Sequence, residues 1–418
     1  MIPCFDNNRL DDLLQSCVQC GLCLPHCATY LATGSETQSP RGRLVLLGDV
    51  VHGKAALTPS IREAFDLCLG CRACETACPS GIEPALLEAA RTMARSVMAP
   101  PSIVGLRLRP ESLPWLSRAG AVGEMCLRIL GGRSWRRRFA DGALAPLARL
   151  IGTRPVSPQP SGELIRRLDG LTGLKTERDS LYAAPAPTTT ATLFRGCVNG
   201  TLLSGTQSRL VELLSAGGVA LEVPDHQTCC GALEAHGGDP AAAEVRRRRN
   251  SEALRGSVVK TGTLIVEAAG CGLELKASAT VDPEHVVDAV VLLDQLVLPP
   301  RRRLELTVVV HDPCHARHGQ GIVDEPRRLL AGIPALRIVE PEEADVCCGS
   351  GGGYALAHPE LSASMGLRKA RLLAASGADL VVTANPGCLG QVRDALATDG
   401  SDLEILPLTD LLWYACLS

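Results

Sequence analysis

Two short stretches near the start of the chain carry cysteines in the same spacing, C-x2-C-x2-C-x3-C. The first contains Cys17, Cys20, Cys23 and Cys27, and the second contains Cys68, Cys71, Cys74 and Cys78. Three thiolates on one tight loop can bind three corners of an iron–sulfur cubane. Two zinc sites are the alternative, but zinc sites usually come as paired C-x2-C units rather than as three cysteines followed by a fourth.

In two-cluster ferredoxins, the fourth cysteine of a motif binds the cluster of the other motif. The spacing therefore predicts two four-iron four-sulfur clusters. One is bound by Cys17, Cys20, Cys23 and Cys78, and the other by Cys27, Cys68, Cys71 and Cys74. Ile61, Phe65 and Leu69 recur at helical spacing between the motifs, and residues 84–98 also have a helical pattern. We therefore expect an all-α ferredoxin domain in residues 1–100.

Eight further cysteines form an internal repeat in the second half of the chain. Each cysteine of the second set lies 117 or 118 residues after its counterpart in the first, which marks a duplication. The first set is Cys197, Cys229, Cys230 and Cys271, and the second set is Cys314, Cys347, Cys348 and Cys388. We expect the first module to span residues 191–300 and the second to span residues 301–418.

The residues around these cysteines alternate between short β-rich runs and helical stretches. Such alternation predicts a parallel sheet covered by helices, with sites at the carboxyl ends of the strands. Each module should then gather its four cysteines at one edge of a sheet. The adjacent pairs are both followed by glycine, at Gly231 and Gly349, which allows the backbone to fold sharply so that both thiols reach one site. A pair of small buried apolar residues is the alternative.

The amino-acid composition limits the classes of protein to which the chain can belong. The 418 residues include nineteen cysteines, and an odd number cannot pair completely in disulfides. The sequence begins without the positive charge of a signal peptide and contains no apolar run long enough to span a membrane, so we expect a cytoplasmic location. Clustered thiols in a reducing compartment usually bind soft metals. A net charge of −3 and 3% aromatic residues argue against nucleic acid as a partner.

Residues 101–190 form the predicted junction between the ferredoxin domain and the modules. Within it, residues 103–154 hold ten arginines and three acidic residues, a composition that suits a basic helical segment. Such a segment can lie on an anionic membrane surface, it can dock on an acidic subunit, or it can be a solvated linker. Residues 155–191 are rich in proline, threonine and alanine, which is typical of a linker.

With these motifs in this order, the chain resembles the iron–sulfur subunits of glycolate oxidase, also called glycolate dehydrogenase, which belong to the cysteine-rich CCG-domain proteins. The resemblance rests on residues 17–44, residues 68–83 and the two modules with their Cys-Cys-Gly sequences, and it covers nearly the whole chain. Related groups are the iron–sulfur subunits of anaerobic glycerol-3-phosphate dehydrogenase and the CCG subunits of heterodisulfide reductase.

The resemblance implies a non-flavin subunit of an oxidoreductase complex. A flavin-containing partner would oxidise glycolate or another 2-hydroxy acid, and this chain would pass the electrons to quinone at the cytoplasmic face of the inner membrane. No Gly-x-Gly-x-x-Gly sequence opens a helix after a strand, so we expect no flavin or nicotinamide site and no independent substrate oxidation. An anaerobic glycerol-3-phosphate dehydrogenase-like subunit, a disulfide reductase that acts at the CCG modules, and a zinc-binding scaffold are the alternatives.

The resemblance also bears on metal binding in the modules. The heterodisulfide reductase relatives have a fifth cysteine in a final C-x2-C element, whereas Cys271 and Cys388 each lack one, so each module offers four sulfurs for an iron–sulfur cluster or zinc. A metal is favoured in the second module, because His311, His315 and His318 surround Cys314 only there. These histidines could donate hydrogen bonds to sulfur, or they could belong to a surface loop.

Overall fold

The structure is a computed structural model, and it describes residues 7–95, 186–237, 239–278 and 280–417. The predicted basic segment, residues 103–154, lies outside these described residues, as do residues 155–185 of the predicted linker. The first strand of the first module begins at Thr189, within the range that the sequence assigns to the linker.

The N-terminal part is helical, as the spacing of its apolar residues predicts. Its helices are α1 (Asn7–Gln15), α2 (Ala28–Thr33), α3 (Pro40–Val51), α4 (Pro59–Asp66), α5 (Ala73–Thr76) and α6 (Pro84–Arg95), with a 3-10 turn at Glu36–Gln38. Ser39 and Thr58 each accept a hydrogen bond from a backbone N–H in the first turn of α3 and α4, and a proline at the first helical position follows each cap. These caps define where the two helices begin.

The helices pack around a small apolar core that also contains cysteines. Leu47, Phe65 and Leu86 are fully buried there, and Cys23, Cys68 and Cys74 belong to the same cluster. Arg43 is buried as well, and its Nε donates to the Ala64 carbonyl oxygen at 2.7 Å while its Nη2 donates to Gln38 Oε1 at 2.8 Å. A buried guanidinium needs such partners, and these two hydrogen bonds join α3 to α4 and to the 3-10 turn.

Each module contains a four-stranded parallel sheet, and the two sheets have the same topology. The strands are β1 (Thr189–Phe194), β2 (Val219–Glu222), β3 (Leu264–Val266) and β4 (Val286–Asp288) in the first module, and β5 (Thr307–His311), β6 (Arg337–Val339), β7 (Leu380–Thr383) and β8 (Glu404–Pro407) in the second. The strand orders are β2-β1-β3-β4 and β6-β5-β7-β8. This equivalence is the structural form of the repeat in the sequence.

Helices connect the strands of each sheet. In the first module they are α7 (Ser204–Ala216), α8 (Ala232–His236), α9 (Pro240–Thr261), α10 (Ala269–Ala277) and α11 (Ala289–Gln295), with a 3-10 turn at Pro283–His285. In the second they are α12 (Cys314–Gln320), α13 (Asp324–Ala331), α14 (Tyr354–Ala357), α15 (Pro359–Ala375), α16 (Pro386–Asp399) and α17 (Leu408–Cys416). β1, β3, β5 and β7 are largely or wholly buried, as expected for central strands of a covered parallel sheet.

The two modules share one apolar core and pack reciprocally. α17 of the second module packs on α7 of the first, and the equivalent helix α11 packs on the equivalent helix α13. α17 also packs on β7 and β8 of its own module, so it joins the two modules. Arg209 Nη1 donates to Asp410 Oδ2 at 2.8 Å, and Thr409 Oγ1 donates to Glu267 Oε1 at 3.0 Å.

Among the residues that the structure describes, no helix combines the length and the apolar character needed to cross a bilayer.

Candidate metal centres

The two ferredoxin loops have the same unusual backbone conformation. In each loop, the residues on both sides of the middle cysteine have positive φ, at Gln19 (55°) and Gly21 (85°) in the first and at Gly70 (66°) and Arg72 (66°) in the second. Gln19 and Arg72 adopt this left-handed conformation although they have side chains, which costs energy that the rest of the site must offset. The two loops therefore share one sharply curved backbone around their middle cysteines.

The fourth cysteines lie near cysteines of both loops. Cys74 has Cys71, Cys68, Cys27 and Cys23 among its charged neighbours, and burial raises its pKa well above the ordinary value for a thiol. Burial also raises the pKa of Cys27, while the positive charge of Arg43 opposes this shift. Cys78 packs against the apolar cluster that contains Cys23, Cys68 and Cys74. Cys27 lies beside Cys23 of its own loop and beside Cys71 of the second loop, and the crossover assignment stays a prediction.

The two ferredoxin sites differ in exposure. Cys20 is exposed and lies between Val18 and Leu22, whose side chains are 69% and 55% exposed. Cys68 and Cys74 of the second loop are buried, and Leu69 beside them is only 5% exposed. The first loop therefore reaches the surface of the described part of the chain, and the second loop lies inside.

In each module, the sheet brings the four cysteines to the carboxyl ends of its strands. The early cysteine follows β1 or β5 by three residues, the adjacent pair follows β2 or β6, and the late cysteine lies near the start of α10 or α16. Gly231 and Gly349, which follow the pairs, have φ values of 98° and 86°. A Cβ added at Gly349 would lie 2.8 Å from Met365 Cβ, so the turn requires glycine both for its conformation and for space.

The four thiols form the same chain of contacts in both modules. In the first module, the Cys229 side chain interacts with those of Cys197 and Cys230, and the Cys230 and Cys271 sulfurs are 3.3 Å apart. In the second module, the Cys314 and Cys347 sulfurs are 3.8 Å apart, and the Cys348 side chain interacts with those of Cys347 and Cys388. Each adjacent pair therefore directs both thiols into one site, whereas the alternative of two small apolar residues requires no such convergence.

Neighbouring sulfurs shift one another's pKa in opposite directions. Interactions with Cys197 and Cys230 lower the pKa of Cys229, whereas interactions with Cys229 and Cys271, together with burial, raise the pKa of Cys230. In the second module, the buried Lys369 lies close enough to Cys347 and Cys348 for their charges to interact. Four neighbouring sulfurs in one module are a donor set that suits iron.

The second ferredoxin loop meets the second module directly. The Cys71 and Cys347 side chains lie close enough to interact, and this interaction together with burial raises the pKa of Cys71 well above its ordinary value. Both thiols pack in one apolar cluster with Leu69 and Tyr354. Tyr354 is 2% exposed, and its hydroxyl donates to the Leu67 carbonyl oxygen at 3.2 Å. No side chain therefore has to intervene between the sulfurs of the two sites.

The histidines near Cys314 hold this contact together, so the alternative of a surface loop is wrong. His315 Nε2 donates to the Gly70 carbonyl oxygen at 3.1 Å. His318 is 8% exposed, its Nε2 donates to the Asp345 carbonyl oxygen at 2.7 Å, and its Nδ1 accepts from Thr76 Oγ1 at 2.7 Å. His311 is also buried, at 2% exposure. The sequence left hydrogen bonds to sulfur and a surface loop as the two alternatives for these histidines, and neither describes the role of His315 and His318 between domains.

Comparisons with known proteins agree with this architecture. The family described as "Cysteine-rich domain", CCG, matches residues 191–276 and 308–393, and the family described as "4Fe-4S dicluster domain" matches residues 13–82. These matches confirm the predicted fold class and the presence of several iron–sulfur clusters. They leave the ligand assignments and the exact domain boundaries as predictions.

Three curated relatives align over almost the entire chain. The "Probable glycolate oxidase iron-sulfur subunit" of Bacillus subtilis (strain 168) is 30% identical over 97% of this chain and 95% of its own length. The "Glycolate oxidase iron-sulfur subunit" of Escherichia coli (strain K12) is 28% identical over 92% of this chain and 91% of its own length. One of the subunits of the dihydromethanophenazine:CoB–CoM heterodisulfide reductase of Methanosarcina barkeri is 25% identical over 95% of this chain and 94% of its own length.

Proposed function

The chain belongs to the family of glycolate oxidase iron–sulfur subunits, and we propose that it carries electrons within a flavin-dependent dehydrogenase complex that oxidises glycolate or a similar 2-hydroxy acid. In this proposal the electrons come from a flavin-containing subunit and pass toward the quinone pool of the membrane. The coarser role, a subunit of an oxidoreductase, follows from the family. The flavin partner, the quinone and the substrate are the proposed parts.

The observation that carries the proposal is the contact between the second ferredoxin loop and the second module. The side chains of Cys71 and Cys347 lie together in one apolar cluster and interact, although 276 positions separate them in the sequence. A disulfide-cleaving site would need access for its substrate at the second module, and this contact occupies one side of it. A relay requires the opposite, namely redox sites that lie close together and away from water.

The chain's own residues hold and insulate the proposed sites. Cys17, Cys20, Cys23 and Cys78 would bind the first ferredoxin cluster, and Cys27, Cys68, Cys71 and Cys74 would bind the second. Cys314, Cys347, Cys348 and Cys388 would form the second-module site, and Cys197, Cys229, Cys230 and Cys271 would form the first-module site. Iron–sulfur clusters supply one-electron transfer, which connects a two-electron flavin to an acceptor. Arg43 and Lys369 place buried positive charge beside these sulfurs, which stabilises anionic sites.

The exposed end of the relay lies at the first ferredoxin loop. Cys20 is exposed there, whereas the second loop is buried against the second module. A redox partner can approach the first loop closely without displacing any described part of the chain. Residues 103–154, with their excess of arginine, are our proposed contact with an anionic membrane surface at the cytoplasmic face.

Anaerobic purification of the tagged chain from its own cells tests this function. We expect a flavin-containing subunit to co-purify, and we expect the complex to reduce a quinone analogue when glycolate is added. Glycerol 3-phosphate and a low-molecular-weight disulfide serve as comparison substrates. Reduction driven only by glycerol 3-phosphate would move the assignment to that group of relatives. Turnover of the disulfide by the chain without a flavin partner would overturn the relay.

A further inference from the structure

His311 is a buried imidazole with an unpartnered nitrogen. It is the last residue of β5 and is 2% exposed. Its Nε2 is inaccessible to solvent and has no hydrogen-bond partner among the described residues. Burying a polar nitrogen without a partner is unfavourable, so such a group in a folded chain calls for an explanation such as a role in metal binding.

The unpartnered imidazole lies beside the sulfurs of the second module. One of its ring nitrogens and the sulfurs of Cys348 and Cys388 all lie within 4.8 Å of one another, and all three residues are buried. The Cys348 side chain also interacts with those of Cys388 and Cys347, and the Cys347 sulfur lies 3.8 Å from the Cys314 sulfur. One nitrogen and two sulfurs thus share one site, the other two sulfurs of the module adjoin it, and imidazole and thiolate are both ligands of iron and zinc.

The sheet accounts for this position. His311 pairs in register with Thr383, the last residue of β7, so β5 and β7 end together at one edge of the sheet. Cys388 follows β7 by five residues and lies at the start of α16. The imidazole also borders a small cavity between the modules, next to Asp288 and Thr383. Neither of these neighbours provides a hydrogen bond to Nε2.

The first module offers a natural comparison. Phe194 ends β1 three residues before Cys197, just as His311 ends β5 three residues before Cys314. Phe194 pairs in register with Val266 of β3, which is equivalent to the pairing of His311 with Thr383. The duplicated frame therefore holds a phenyl ring in one module and an imidazole in the other, at equivalent positions beside four cysteines.

We propose that His311 is a metal ligand in the second module, together with Cys314, Cys347, Cys348 and Cys388. The first-module site then has only sulfur ligands. A neutral imidazole ligand in place of or beside thiolates makes an iron–sulfur site easier to reduce. The two modules would therefore differ in potential, with the second as the stronger electron acceptor. This inference rests on metal binding in the second module and is independent of which substrate the complex oxidises.

The test uses the full chain, purified anaerobically after growth with 15N-labelled histidine. Pulsed electron paramagnetic resonance in the oxidised and the reduced state should detect a nitrogen coupling of the strength expected for a directly bound imidazole. His311→Phe, which introduces the residue of the first module, should abolish this coupling. His315→Gln should leave it, because His315 hydrogen-bonds to a backbone carbonyl oxygen instead.

Two further readouts separate a ligand from a structural residue. His311→Cys should restore the second-module metal content without the nitrogen coupling and should lower the potential of that site, because a thiolate carries negative charge. If His311 had only a structural role, the nitrogen coupling and the potential of the second-module site would be the same in the wild type and in every His311 variant that folds. The proposal is overturned if the wild type lacks a strong nitrogen coupling in both redox states, or if His311→Phe retains it. Both of these results can be observed whether or not the complex oxidises glycolate.

Discussion

The contact between the ferredoxin domain and the second module can be weakened by removing a single oxygen atom. Tyr354→Phe deletes the hydroxyl that donates to the Leu67 carbonyl oxygen at 3.2 Å and leaves the ring in its apolar cluster. A neutral hydrogen bond of this kind contributes about 1 kcal/mol, and an acceptor left unpaired in a buried place raises the cost toward about 2 kcal/mol. The equilibrium constant for docking of the ferredoxin domain on the second module should therefore fall by a factor of about 5 to 30.

Hydrogen–deuterium exchange on the anaerobic chain measures this change. Amides in α4 and in the second ferredoxin loop should exchange about 5- to 30-fold faster in Tyr354→Phe if they exchange by undocking, and amides in β5 and β7 should be unchanged. Tyr30→Phe is the matched control, because Tyr30 is partly exposed in α2 and the described contacts include no hydrogen bond from its hydroxyl. Equal exchange in Tyr354→Phe and the wild type, or an equal increase in Tyr30→Phe, would refute the docking argument.

Two other predictions concern a buried carboxyl group and a turn. Burial, with contributions from Asp410 and Asp288, raises the pKa of Glu267 to about 7 from an ordinary value of 4.5, against hydrogen bonds from Thr409 and Asn199. The folded chain then binds this proton more tightly than the unfolded chain, so the free energy of unfolding decreases as the pH rises from about 4.5 to about 7, by at most about 3 kcal/mol. Glu267→Gln should reduce this pH dependence in thermal unfolding of the intact chain, and identical slopes in the two proteins would contradict the assignment. Gly349→Ala should lower the metal content of the second module, because its φ of 86° and the 2.8 Å approach to Met365 Cβ both oppose a side chain. Gly400→Ala is the control, because Gly400 has a φ of 76° and no heavy atom lies within 4 Å of its added Cβ. This variant should cost only the backbone strain and leave the metal content unchanged. Equal metal loss in both variants would show that crowding at Gly349 is irrelevant.

Much of the fold follows from the spacing of cysteines and apolar residues. The offsets of 117 and 118 residues predict two equivalent modules, and the strands before Cys197 and Cys314 end at the carboxyl edges of two sheets with the same order. Periodicity succeeds here because it depends on local geometry, with two residues per repeat in a strand and 3.6 in a helix. The glycines after the cysteine pairs are likewise readable, because a sharp turn requires positive φ.

The docking of the domains could not be read in this way. Both modules carry the same arrangement of four cysteines, so local patterns do not indicate which one meets the second ferredoxin loop. The contacts that decide it join residues more than 240 positions apart, such as Thr76 with His318 at 242 positions and Tyr354 with Leu67 at 287 positions. His311 was a missed ligand candidate for a related reason. The difference between Phe194 and His311 is visible in the aligned repeat, but only the fold shows that this position faces the sulfurs.

The iron and acid-labile sulfide content of the oxygen-protected chain tests the central claim most directly. If the cysteine sulfurs hold redox clusters, the two ferredoxin clusters alone should give at least about eight irons per chain, and the modules should add further metal. The reduced chain should also give a paramagnetic signal. Fewer than about eight irons, zinc in place of iron in the ferredoxin domain, or a colourless chain whose buried thiols react freely with an alkylating reagent would contradict it.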